Sequence, residues 1–220
     1  LQQLQQLAVS AIERRGRTFH FMLFRSNNVS DSANTLGEID TIHNRAVPGT
    51  NNYDGMPSSY IPPAGRDNPE TDRNITNALS FNPDVVIVSY ASNNFNPNGS
   101  PSTGFSLPEV MFTLQTMKDS ANAAGKVCFI TSTQPRQDFN AADRQFLRVL
   151  KDSILNRFGF FAINFFDPIV DPVDNTIRAE YRVPSDNIHP NNAAHRVLFQ
   201  QVVAKDILNA ALRVEIRNFS

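Results

Sequence analysis

Val85-Val86-Ile87-Val88-Ser89-Tyr90 is a short apolar run that breaks into Ser92-Asn93-Asn94 within two residues of its end. A run without alternation of apolar and polar side chains suits a strand covered on both faces, the situation of a strand inside a parallel sheet. Phe19–Phe24, Val127–Thr131 and Phe160–Phe165 have the same character, and Glu38–His43 alternates and reads as a weaker strand. Between these runs lie helical patterns. One covers Pro69–Ser80 with Glu70, Thr71 and Asp72 in its first turn, where negative charge favours the helix dipole. Leu107–Ala124 stops at Gly125, Ala141–Phe158 stops at Gly159, and Ala193–Leu212 follows Pro190; glycine beyond a helix end is a stop signal. Strands alternating with helices of this length predict an α/β fold, a parallel sheet with helices on both faces. In such sheets ligands bind beyond the carboxyl ends of the strands. The loops after Phe24, His43, Tyr90 and Phe165 are therefore the ones to search.

At 220 residues the chain fits a single domain. We assign it to 17–220, preceded by a helix or linker over 1–16 that carries Leu1, Leu4, Leu7 and Ile12. The formal net charge is −1 and the basic residues are scattered. No nucleic acid or anionic membrane is therefore expected as a partner. No stretch approaches the ~18–20 apolar residues of a membrane-spanning helix. Cys128 sits in the apolar run Val127-Cys128-Phe129-Ile130 and reads as a small buried hydrophobe. The chain begins at Leu1, so any leader is expected to lie outside it, and the compartment and oligomeric state stay open.

The sharpest chemical signal is Ser185-Asp186-Asn187-Ile188-His189-Pro190-Asn191. An Asp three residues before a His on one loop can set its carboxylate against the imidazole, fixing the tautomer and stabilising the imidazolium formed on proton uptake. Pro190 reads as the start of the helix that holds the pair. Gly49, in Val47-Pro48-Gly49-Thr50, follows the second strand, and Asn93 follows the third. A backbone N–H at a glycine turn and an Asn amide are two donors able to converge on a developing oxyanion. His20 reads as structural, His195 as a packing or capping residue, and His43, at the end of strand two, as a candidate substrate contact. No histidine and carboxylate grouping has metal-ligand spacing, and this chemistry needs neither metal nor cofactor. Asn51–Asn68 is the expected wall of the site, with Tyr53 and Tyr60 able to stack on a sugar, and Phe95–Phe105 is a second candidate wall.

These blocks, in this order, resemble the SGNH (GDSL-like) hydrolases over nearly the whole chain from Phe19 onward. Asp186 and His189 match the family's last block, Asn93 its third and Gly49 its second. Pro63-Ala64-Gly65-Arg66, Asp72-Arg73-Asn74-Ile75-Thr76, Asn82-Pro83-Asp84 and Thr133-Gln134-Pro135-Arg136 resemble a bacterial branch of it. The resemblance implies a three-layer α/β/α fold with a five-stranded parallel sheet of order 2-1-3-4-5. It implies hydrolysis of an acyl or acetyl ester, on a small molecule or an acylated carbohydrate, and a secreted or periplasmic setting. The first block departs from the pattern: Phe24-Arg25-Ser26-Asn27 stands where the family has a serine beside glycine. Ser26 is the preferred nucleophile because it directly follows the first strand, whereas Ser32 leaves too few residues for the crossover to strand two. In the third block Ala91 and Asn94 replace the family's Gly and Asp. The degenerate first block keeps an alternative open, a catalytically inactive domain that binds carbohydrate or a protein partner.

Overall fold

The computed structural model of the protein describes residues 19–22, 42–46, 49–90, 92–94 and 104–207. In chain order the elements are β1 (Phe19–Met22), β2 (Ile42–Asn44), α1 (Ile75–Ser80), β3 (Val85–Val88), α2 (Leu107–Ala123), β4 (Val127–Thr131), α3 (Ala141–Phe158), β5 (Ala162–Ile163), β6 (Arg182–Val183), β7 (Asp186–Pro190) and α4 (Asn192–Ala204). Strands β2-β1-β3-β4-β5 form one sheet in that order, with every pairing parallel. All five strands therefore present their carboxyl ends to one rim.

The two faces of the sheet separate by the two-residue period of a strand. Val85, Ile87, Val127, Phe129 and Ile163 pack in one core with Ala194, Leu198, Phe199 and Val202 of α4. Val86, Val88, Cys128, Ile130 and Ala162 pack in a second core with residues of α1, α2 and α3. Both faces are apolar and covered, as the unbroken run of β3 requires. Cys128 is fully buried, and burial pushes its thiol up to about 12. It is packing, not chemistry.

Helix ends follow local side-chain rules. Ser106 and Glu109 form a reciprocal capping box on α2, Asn140 caps α3, and Asn191 caps α4. Such caps satisfy N–H groups that the helix itself leaves without acceptors. Gly125 and Gly159 follow α2 and α3 with φ of +71° and +52°, backbone that glycine adopts without steric cost.

Several boundaries differ from the sequence reading. The helix expected from Pro69 starts at Ile75: the Asn74 side chain caps it by accepting the N–H of Asn77, and the residues before it form a separate turn on Glu70 O or bond outside the segment. Glu70 N–H, for example, donates to Asp54 O at 3.0 Å. The strand expected over Phe160–Phe165 contracts to Ala162–Ile163. Gly159–Phe161 forms a 3-10 turn, and Asn164 Oδ1 closes another turn by accepting the N–H groups of Phe166 and Asp167. Residues 185–189 are not a loop leading straight into a helix. Asp186–Pro190 is a strand paired antiparallel with Arg182–Val183, and α4 begins only at Asn192. The segment 1–16, Ser26, Ser32 and residues 95–103 lie outside the described residues.

One glycine is fixed by packing. A Cβ on Gly55 would come within 2.1 Å of the buried Tyr90 hydroxyl and 2.3 Å of its ring. Overpacking of this kind costs about 1–3 kcal/mol. Gly55→Ala is expected to lower stability by that amount, read as a reduced urea midpoint with an unchanged slope; an unchanged midpoint would mean that Tyr90 moves aside freely.

Candidate functional site

The Asp186–His189 pair is built from the backbone outward. Asp186 Oδ1 accepts the N–H of Ile188 at 2.7 Å and of His189 at 3.1 Å. The carboxylate is thereby turned so that Oδ2 meets His189 Nδ1. With Nδ1–H donating to a carboxylate, the neutral ring carries its lone pair on Nε2, the atom able to take a proton. Burial pushes the Asp186 carboxyl up, but the bonds from the His189 ring and from the two N–H groups outweigh it. They hold the carboxyl at about 2, against an ordinary value of 3.8. The pair is therefore an ionised carboxylate orienting an imidazole that is about one-third exposed.

Further contacts tie this strand to the loop after β4 and to α4. From the loop after β4, Gln134 Nε2 donates to Ile188 O at 3.2 Å and Gln137 N–H to Asn187 O at 3.0 Å. Asn191 ties the hairpin to α4: its amide donates to Glu180 O and Arg182 O while its Oδ1 caps the helix. Pro190, expected to open the helix, instead pairs with Arg182. Proline has no side-chain acceptor with which to cap a helix, so that duty falls to Asn191, whose Oδ1 accepts the N–H of Ala194.

Gly49 and Asn93 stand in the loops that leave β2 and β3 at the carboxyl ends of the sheet. Gly49 lies beyond β2, exposed, with φ of +81°. Asn93 lies beyond β3 in a 3-10 turn, Ser92–Asn94, and its Nδ2 donates to Thr50 O at 3.1 Å. The amide of Asn93 is thus held against the residue next to Gly49, with one of its two N–H groups engaged. Behind them, fully buried, Asn52 N–H donates to Asn94 Oδ1 at 2.9 Å and Asn94 Nδ2 donates back to Asn52 Oδ1 at 2.7 Å. Asn52 Nδ2 continues to Thr113 Oγ1 on α2 at 2.8 Å. Sequence reasoning registered Asn94 only as a replaced aspartate, Asn52 only within the Asn51–Asn68 wall and Gln134 only within a block of the resemblance, and gave none of them these contacts. Backbone-directed amide contacts leave no spacing signature.

Two expectations change. Tyr53 is 2% exposed, its hydroxyl donates to Glu109 at 2.8 Å and its ring meets Phe105 edge-on, so it is core and not a sugar platform. Phe105, expected in the second wall, is itself buried. His43 lies within β2, and its ring packs 4.7 Å from that of Phe81.

The chain has the fold of the GDSL-like hydrolases. Among solved structures it resembles a variant of an acetyl xylan esterase from Geobacillus stearothermophilus, with a TM-score of 0.62 and 12% identity, covering 87% of this chain and 94% of that one. It also resembles a GDSL-like lipase from Bacteroides thetaiotaomicron, with a TM-score of 0.58 and 13% identity over 94% and 98% of the two chains. A third is an α/β hydrolase from the metagenome of Lake Arreo, Spain, with a TM-score of 0.59 and 14% identity over 87% and 95%. No family model and no curated protein matches the sequence. Among the described residues no helix is long and apolar enough to cross a membrane.

Proposed function

We propose that the protein is a serine ester hydrolase acting on a small-molecule ester or an acylated carbohydrate. The observation that carries this reading is the Asp186–His189 pair, held at the same rim of the sheet as the loops bearing Gly49 and Asn93. In this reading Ser26, which follows β1 in the chain, is the nucleophile. His189 Nε2 takes the Ser26 proton as the oxygen attacks the ester carbonyl, while Asp186 stabilises the resulting imidazolium. Gly49 N–H, the second N–H of the Asn93 amide and the N–H at the nucleophile receive the oxyanion. The alcohol leaves with the proton from His189, and a water deprotonated by the same ring then releases the acyl group. The solved esterases and lipases that share the fold support the reaction class.

A fluorophosphonate probe tests the assignment directly. The expected result is one covalent adduct, mapped to Ser26 by peptide mass spectrometry and absent from Ser26→Ala. An adduct on Ser32, with Ser26→Ala still active, would move the nucleophile there. A folded protein with no serine labelled would favour the non-catalytic binding domain instead.

A further inference from the structure

The amide pair Asn52–Asn94 has a fixed polarity, and both ends of it are set by backbone. At one end Asn52 N–H can only donate, so Asn94 must face it with Oδ1. At the other end Val110 O can only accept. It takes the Thr113 hydroxyl at 2.9 Å and lies 3.4 Å from Asn52 Nδ2. Thr113 Oγ1, its proton so used, accepts from Asn52 Nδ2. Asn52 must therefore present Oδ1 to residue 94, and residue 94 must answer with a donor. An amide fits this position; a carboxylate, with oxygen on both arms, does not.

The pair is flanked by the two candidate oxyanion donors. Asn94 is adjacent in sequence to Asn93, and Asn52 lies three residues from Gly49. Asn93 Nδ2 closes the ring by donating to Thr50 O. Two loops leaving different strands are thus joined through a buried link whose side chains are 0% and 1% exposed. Buried polar links of this kind are stiff, because a broken bond leaves a group without compensation from water.

We propose that Asn52 and Asn94 are positioning residues that set the separation of Gly49 N–H and the Asn93 amide, and that this chain requires an amide at position 94. This inference rests on the esterase reading. It also makes a counter-intuitive prediction, since the substitution that restores the aspartate of the resembled family damages this protein.

The test is Asn94→Asp, assayed on a short-chain aryl ester beside wild type and His189→Ala. The introduced carboxylate, when ionised, meets Asn52 Oδ1 with a second acceptor and pushes the loops apart. Misplacement on this scale, or a lost oxyanion donor, costs about 10²-fold in turnover. At about pH 8, kcat is therefore expected to fall about 10²-fold with KM unchanged. Once protonated, the new carboxyl regains a donor toward Asn52 Oδ1, and burial favours that neutral form. The wild-type to variant ratio of kcat is therefore expected to shrink toward about 1 as pH is lowered to about 5.5. Asp54 and Glu109, the carboxylates nearest in the same loop and helix, are common to both proteins, as is His189, so the ratio removes their titration.

A wild-type kcat for Asn94→Asp at the higher pH would overturn the proposal. So would a loss independent of pH and accompanied by a matching rise in KM, the signature of general loosening. If Asn94→Asp does not fold at the higher pH, Thr113→Val carries the test. A several-fold loss in kcat at unchanged KM supports the link, and an unchanged kcat overturns it. His189→Ala separates the two levels. Full activity in that variant, or no wild-type turnover, sinks the esterase reading and the link with it. An inactive His189→Ala beside an unaffected Asn94→Asp sinks the link alone.

Discussion

Turnover of a short-chain aryl ester is expected to fall by about 10⁴-fold or more in His189→Ala. That is roughly 5 kcal/mol of transition-state stabilisation, at about 1.36 kcal/mol per decade. The size follows from what the ring does in the proposed cycle. It removes the proton in acylation, donates it to the departing alcohol and activates water in deacylation, so each step loses its proton carrier. The loss should lie in kcat, because His189 takes no charge from the ground-state ester. The fold should be indifferent: the ring is about one-third exposed, and its replacement leaves the two core clusters intact. Steady-state kinetics with a urea melt in parallel checks both parts. Wild-type turnover in this variant would remove the hydrolase reading.

The second large effect is expected from Asp186→Asn. The change keeps shape and keeps an acceptor for Ile188 and His189 N–H. It swaps the atom facing His189 Nδ1 from acceptor to donor, which drives the ring proton to Nε2 and leaves the wrong nitrogen basic. A tautomer error of this type costs about 10⁴-fold in kcat. A second readout is the pH dependence of stability. Because the folded carboxyl lies at about 2, below its ordinary 3.8, its bonds stabilise the fold fully above about 4. That contribution is lost as pH falls through the window between them. The urea midpoint of wild type should therefore exceed that of Asp186→Asn at about pH 5 and converge on it as pH approaches about 2. A constant gap would mean that Asp186 ionisation is not coupled to folding.

How much of this was legible in the sequence depended on how local the cause was. The α/β class was, since the unbroken apolar runs at Val85 and Val127 can be covered only from both sides. The limits of α3 were too, because Asn140 caps it and Gly159 ends it within the chain itself. Phe160–Phe165 misled because hydrophobicity alone does not separate a strand from a turn. Phe160 is 54% exposed, and Asn164, hidden inside the apolar run, bends the chain. Asp186 and His189 were legible as a pair because their contact spans three residues. That they lie on a strand was not, since its partner Arg182–Val183 contributes only two residues and no alternation. Asn52, Asn94 and Gln134 act across 42 or more positions of chain, and no local pattern encodes such a contact.

The turn closed by Asp186 Oδ1 on Ile188 and His189 has a consequence for how activity would be lost under stress. One half of the proposed proton relay is local in sequence: the Asp186 turn sets carboxylate against imidazole within four consecutive residues. The other half of the proposed relay, His189 against the Ser26 hydroxyl, would join segments far apart in the chain and so depend on the sheet that carries them. Mild denaturant or heat should therefore uncouple the alcohol first and leave the acidic partner still gripping its ring. Inactivation would then precede any change in the environment of His189.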